Sequence, residues 1–122
     1  MKNLLLLIIL ISLNSCYQSE RNCSDFKTGE FYSEVYIDGE RYTSEFNRTS
    51  DLQVEYYNGK IDSSNVRWIN DCELVYKTIN PKSRAEQKDV HLKILTTTDS
   101  SYTFEYSYVG DKYKQKGTAF LK

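Results

Sequence analysis

The sequence predicts an all-β domain, an up-and-down antiparallel meander of about eight short strands joined in order by hairpins. Three observations carry that expectation. From Gly29 onward apolar and polar residues alternate with a period of two. Asp38-Gly39, Asn58-Gly59 and Gly110-Asp111 interrupt the alternation as two-residue turn signals. The chain also holds eleven tyrosines and five phenylalanines against one proline, a composition that suits the pleated faces of strands.

Ahead of the strands lies a leader. Lys2 supplies a positive start, and Leu4 through Ile11 form an unbroken apolar run, far short of the ~20 residues that span a bilayer as a helix. Such a segment reads as a signal peptide and is set apart from the fold. Leu13-Asn14-Ser15-Cys16 resembles a bacterial lipobox, with Cys16 the lipidation site; a plain signal peptide is the alternative. Residues 1–15 are therefore expected to be removed, 16–28 to form a lipidated tether, and 29–122 to form a single β-domain. Each buried methylene of an acyl chain contributes ~0.8 kcal/mol, and two or three chains hold a protein on the membrane. Tyr17 rather than an aspartate follows Cys16, which in the sorting logic of Gram-negative lipoproteins implies the outer membrane of the cell envelope.

Cys23 and Cys72 remain, an even pair in an exported chain, and they read as a disulfide. A metal or redox pair would need closer spacing. Closing a loop of that length contributes about 4 kcal/mol in the chain-entropy treatment.

The strands follow from turn and alternation together. Asp38-Gly39 sets Val35 opposite Tyr42, Ser33 opposite Ser44 and Phe31 opposite Phe46, with Glu34 and Arg41 on the other face. Asn58-Gly59 sets Tyr56 opposite Ile61 and Val54 opposite Ser63. The apolar parity then slips between Ile61 and Val66, so a β-bulge near Ser63 to Asn65 is expected. A three-residue loop at Ile69-Asn70-Asp71 would align Trp68 with Cys72 and Val66 with Leu74. Asn80-Pro81 ends that strand, and Ser83 to Glu86 has capping-box spacing, giving either one helical turn or a bare loop. A loop over Thr98-Asp99-Ser100 pairs Ile94 with Phe104, Leu92 with Tyr106 and Val90 with Tyr108. Gly110-Asp111 then sets Tyr108 against Tyr113, Tyr106 against Gln115, Phe104 against Gly117 and Tyr102 against Ala119. Large side chains meet small ones, as the taper of a small barrel requires. The shape expected is a small lipocalin-like barrel, with a two-sheet β-sandwich as the alternative. Lys112, Lys114 and Lys116 fall on the outward side of the last strand, as guards of a sheet edge or as a binding patch.

Charge and motifs exclude several functions. Sixteen basic against seventeen acidic residues give a net charge of −1, which offers no surface for nucleic acid. His91 is the single histidine and points outward beside Lys93, so neither a histidine-rich metal site nor a Ser-His-Asp arrangement is expected. The chain has no Gly-x-Ser-x-Gly elbow and no phosphate-cradling glycine loop. Asp71 and Glu73 flank Cys72 as the one acidic pair to consider for acid/base work, though acids at turns commonly serve turn geometry. No cofactor or metal is implied.

The run from Arg21 to Gly29, the segment Arg67-Trp68-Ile69-Asn70-Asp71-Cys72-Glu73, Thr103-Phe104-Glu105-Tyr106 and Lys116-Gly117-Thr118 together resemble a family of small lipoproteins from Bacteroidota-type bacteria. Some members bear the label DNA topoisomerase IV, which nothing in this short, exported chain supports. The resemblance implies lipidation and the cysteine pairing and brings no activity with it.

Function is therefore expected to be non-catalytic. The first expectation is a lipid-anchored binding module for a small amphipathic ligand or an envelope component, with Trp68, Tyr102, Tyr106 and Tyr108 as the binding residues: their rings are apolar and their polar tips want partners. A filled core without a cavity is the competing reading of that tyrosine row. The second is a protein-interaction or enzyme-inhibitor lipoprotein, displaying Tyr32, Tyr36 and Tyr57 on the outer face.

Overall fold

The computed structural model describes residues 21–122. The lipobox and Cys16 lie outside the described residues. Eight antiparallel strands close into one barrel in sequence order: β1 Gly29–Ile37, β2 Glu40–Arg48, β3 Leu52–Tyr57, β4 Lys60–Asn70, β5 Glu73–Thr78, β6 Val90–Thr97, β7 Ser101–Tyr108 and β8 Gln115–Leu121. Closure is made by β8 against β1, with Phe31 opposite Leu121, Ser33 opposite Ala119 and Val35 opposite Gly117. No long edge is left for Lys116 to guard along this seam, and Lys112 and Lys114 precede β8 in its loop.

Turn chemistry sets the register. Asp38 and Gly39 have φ of 52° and 80°, and Asn58 and Gly59 have φ of 48° and 73°, the double left-handed conformation that these residue types tolerate in a two-residue hairpin. The first hairpin then pairs as expected, Phe31 with Phe46 and Val35 with Tyr42. The ladders of β6 with β7 and of β7 with β8 also carry expected pairs, Ile94 with Phe104 and Phe104 with Gly117 among them, but β8 begins at Gln115, so Tyr113 does not pair with Tyr108 across Gly110-Asp111. Gly117 is required there: a Cβ would lie 2.7 Å from both the Glu34 carbonyl oxygen and the Phe104 ring.

Two expectations change. The β3–β4 ladder runs unbroken from Leu52 opposite Asn65 to Tyr57 opposite Lys60, with no bulge at Ser63 to Asn65. The irregularity sits between Trp68 and Asn70. Parity is kept because Val54, Tyr56 and Ile61 take the outer face, and the polar Gln53, Glu55, Asp62 and Ser64 turn inward. Beyond it, Trp68 pairs with Leu74 and Val66 with Tyr76, two residues away from the expected partners. The β4–β5 connection is the tight turn Asp71-Cys72, with Asn70 opposite Glu73. Between β5 and β6, Ser83 Oγ accepts the Glu86 N–H at 3.2 Å. The segment is nonetheless a pair of turns rather than a helix, because the Glu86 carboxylate reaches the Lys82 N–H and not the backbone of Ser83 as a capping box needs.

The core gathers toward one end of the barrel. A 3-10 turn, Cys23–Phe26, lies across that end with Cys23 and Phe26 buried. Phe26 packs on Tyr102, and Phe31 stacks on Phe46. The disulfide Cys23–Cys72 ties this turn to the β4–β5 connection. Residues 23–26, within the segment expected as a tether, thus form the floor of the barrel.

Candidate functional site

One buried charge defines the floor. Arg48 follows Phe46 by two positions on β2 and so faces inward, where it is 2% exposed. Its Nε donates to Gln53 Oε1 at 2.9 Å and its Nη1 to the Phe26 carbonyl at 2.9 Å. Its Nη2 donates to the hydroxyls of Tyr76 and Tyr102 at 2.8 and 2.9 Å. Rings of Phe46, Phe31 and Trp68 surround the guanidinium at 5.1, 5.4 and 5.6 Å from their centroids, close enough for cation–π attraction. Burial pushes the Tyr76 and Tyr102 phenols up, so both hydroxyls are neutral at physiological pH. Arg48 therefore has hydrogen-bond partners and aromatic faces but no carboxylate among its described contacts.

Above this floor the barrel is open. A cavity of about 620 Å³ occupies the upper half, facing the end that carries the β1–β2, β3–β4, β5–β6 and β7–β8 connections. Its wall is divided. Val35 and Ile37 of β1, Val90 and Leu92 of β6, and Phe104 and Tyr106 of β7 form an apolar half. Ser44 of β2, Gln53 and Glu55 of β3, Asp62 and Ser64 of β4, and Thr78 of β5 form a polar half. Tyr42 and Tyr57 stand near the rim, and Glu86 reaches in from the β5–β6 loop.

Glu55 is the second inward ionisable group. It pairs with Phe46 on one side and Asp62 on the other, so it lies one inward level, about 7 Å, above Arg48. Its described hydrogen-bond partner is Ser44 Oγ, at 3.4 Å, and Ser44 is itself bonded to Ser33 Oγ at 2.7 Å. Burial pushes the Glu55 carboxyl above its usual range, and the neighbouring Asp62 pushes it the same way. No cation bridges it among the described residues.

The residues expected to bind are distributed over these levels. Tyr102 and Tyr106 line the cavity. Trp68 lies below it beside Arg48, with its indole N–H buried and unpaired. Tyr108 stands outside it, 39% exposed, with Lys88 Nζ 5.5 Å over its ring. Tyr57, expected on the outer face, turns into the cavity rim. Tyr32 and Tyr36 do face outward: Arg41 donates to the Tyr32 hydroxyl, and Tyr36 is 58% exposed. His91 is outward and meets Glu73 Oε2 at 3.4 Å. No group of three or more His, Cys, Asp or Glu is placed to hold a metal ion among the described residues.

Sequence reading overlooked Arg48, Gln53, Glu55, Asp62 and Tyr76. A signal was present. The Asp38-Gly39 turn puts Arg48 on the same face as Phe46, and the Asn58-Gly59 turn puts Glu55 opposite Asp62 on a single face. Apolar residues on the other side of β3 and β4 masked it.

No protein-family model, curated protein or solved structure matches this chain. No described helix is long and apolar enough to cross a membrane.

Proposed function

We propose that this protein is a non-catalytic binding module that holds a small amphipathic ligand inside its barrel, carried to the outer membrane of the cell envelope on acyl chains at Cys16. The observation that carries the reading is the cavity with one apolar and one polar half. Ligand sites are commonly concave spaces of roughly 300–1,000 Å³ with apolar walls and a few placed polar groups, and the cavity falls in that range. The floor supports the same reading. Disulfide, 3-10 turn and the four hydrogen bonds of Arg48 tie the base of the barrel together, which suits a preorganised cup. The lipobox-like Leu13-Asn14-Ser15-Cys16 and the family resemblance support the anchor.

Native mass spectrometry of the protein purified from envelope membranes tests the binding role. A small molecule that co-purifies, and is lost when Leu92→Glu puts a charge on the apolar half, is the expected result. A wild-type protein that carries nothing and takes up nothing from envelope extract overturns the reading. Intact-mass measurement tests the anchor: acyl chains are expected at Cys16, and an unmodified Cys16 in the mature protein contradicts it.

A protein-interaction role is the second reading. The outer-face aromatics favour it, with Tyr32 against Phe120 at 6.4 Å between ring centroids and Tyr36 exposed beside them on β1. Loss of a crosslinked partner on Tyr36→Ser, with no effect of Leu92→Glu, selects this reading over the first.

A further inference from the structure

We propose that the cup is a site for an organic ammonium ion with an apolar body, its cation held by Glu55 and Asp62 and its body laid on Val90, Leu92 and Phe104. The proposal rests on the reading of the cavity as a ligand site and specifies the chemistry of that ligand.

Three features of the cavity select this class. The first is sign. The ionisable side chains lining the cup are tyrosines and the acids Glu55, Asp62 and Glu86, with no lysine, arginine or histidine among them. Arg48 lies beneath, 2% exposed and with four of its five N–H donors engaged by Gln53, Phe26, Tyr76 and Tyr102. An anionic head entering the cup therefore meets like charge at the wall, and the Arg48 charge beneath, though not neutralised by a carboxylate, is held below the cavity by those hydrogen bonds. A cationic head meets a carboxylate pair on adjacent strands, the half-buried Glu55 opposite the more exposed Asp62.

The second feature is the state of Glu55. Glu55 is half-buried at the cavity wall, and a carboxylate partly withdrawn from water is costly in proportion unless it is paired or fully hydrogen-bonded. Glu55 has one long bond, from a Ser44 hydroxyl that is shared with Ser33, and a second acid next to it. No cation pairs with it among the described residues. A bound ammonium ion supplies the missing counter-charge and up to three N–H donors.

The third feature is the ring content. Tyr42, Phe46, Tyr57, Tyr76 and Tyr106 all line the same cavity. Aromatic faces around an acid are the usual surroundings of a recognised ammonium group, because the ring quadrupole attracts a cation that has been taken out of water. The apolar half opposite, on β6 and β7, gives the rest of the molecule a surface to cover. Neither a purely polar cation nor a neutral hydrocarbon uses both halves.

The test compares three probes that share one body and differ only at the head: 2-phenylethylammonium, 2-phenylethanol and 3-phenylpropionate. Each is titrated calorimetrically into the full chain held in lipid nanodiscs, with empty nanodiscs as the blank. The ammonium probe is expected to bind at least ten-fold more tightly than the alcohol, and the carboxylate more weakly than either. Glu55→Gln and, separately, Asp62→Asn are expected to weaken the ammonium probe at least ten-fold and leave the alcohol unchanged. A thermal melt on each variant confirms folding. Equal binding of all three probes, or preference for the carboxylate, overturns the ammonium assignment and leaves the cup as a ligand site. If none of the three binds and Leu92→Glu changes nothing, the cup reading falls with it.

Discussion

Arg48 and Glu55 are both ionisable, both turned into the barrel and one level apart on paired strands, yet the fold treats them differently. Arg48 is closed in by four hydrogen bonds and a ring of aromatic faces. Glu55 faces open space beside another acid, with a single distant hydroxyl as partner. The first arrangement is what a structural charge requires: every acceptor near the cation has been placed for it. The second leaves the cost of burial uncompensated by the protein. The lower half of the barrel is therefore organised around its own charge, and the upper half leaves an acid without a cation among the described residues.

The comparison is broken most severely at the floor. Arg48→Met strands the Tyr76 and Tyr102 hydroxyls and the Phe26 carbonyl in a buried space. Loss of such a network is expected to cost about 5 kcal/mol, read as a lower midpoint in guanidinium unfolding. Replacing both Cys23 and Cys72 with Ala releases the 3-10 turn from the β4–β5 connection. With a sequence separation of 49, the chain-entropy treatment predicts a loss of about 4 kcal/mol, measured the same way against the oxidised wild type.

A smaller pair of substitutions separates the tight seam from the roomy wall. Gly117→Ala forces a methyl against the Glu34 backbone and Phe104 and is expected to cost about 2 kcal/mol. Ser64→Ala, on the polar half of the cup, is expected to stay within about 0.5 kcal/mol of wild type. Equal costs at the two positions would mean that the polar half is packed like the seam and that no cup exists in solution.

Glu55→Gln is the mildest change and carries the opposite sign. Because the folded protein holds the Glu55 carboxyl above its usual range, the folded state binds its proton more tightly than the unfolded chain does. The favourable contribution of that group is then complete below the unfolded pKa and is lost as pH rises through the folded one. At pH 7 the variant is expected to melt at a higher temperature than wild type, and the difference should shrink toward acid pH. A variant that melts lower at pH 7 would place Glu55 among the structural charges, with Arg48.

How much of this was legible in the residues differs between the two regions. The hairpin at Asp38-Gly39 places large and small side chains correctly because turn geometry and alternation agree there. At Thr98-Asp99-Ser100 the loop is one residue longer, with Thr97 opposite Tyr102, and a register shift between Ile94 and Thr96 restores the expected partners. Strands β3 and β4 misled. Val54, Tyr56 and Ile61 form a convincing apolar face, and the usual logic turns such a face inward. The β2–β3 ladder imposes the reverse: the inward Phe46 and Arg48 pair with Glu55 and Gln53, and Glu55 opposite Asp62 carries that polar face on to β4. A polar inward face is stable where the interior is hydrogen-bonded, as at Arg48, or opens into a cavity, and no local pattern reports either. Arg48 was hidden for a related reason: a charge at a strand end reads as a solvated terminus until the 3-10 turn is seen to cover it. Tyr102 and Tyr106 line the cavity because they share parity with Phe104, but Tyr108 at the strand end has passed the rim.

The direct measurement is a carbon-detected NMR titration of the Glu55 side-chain carboxyl in the ligand-free protein. The account predicts a pKa above the usual ~4.3 of a glutamate, falling when 2-phenylethylammonium is added. A value at or below the usual one in the free protein would show that the fold already satisfies this carboxylate, and would contradict the division between a finished floor and an open cup.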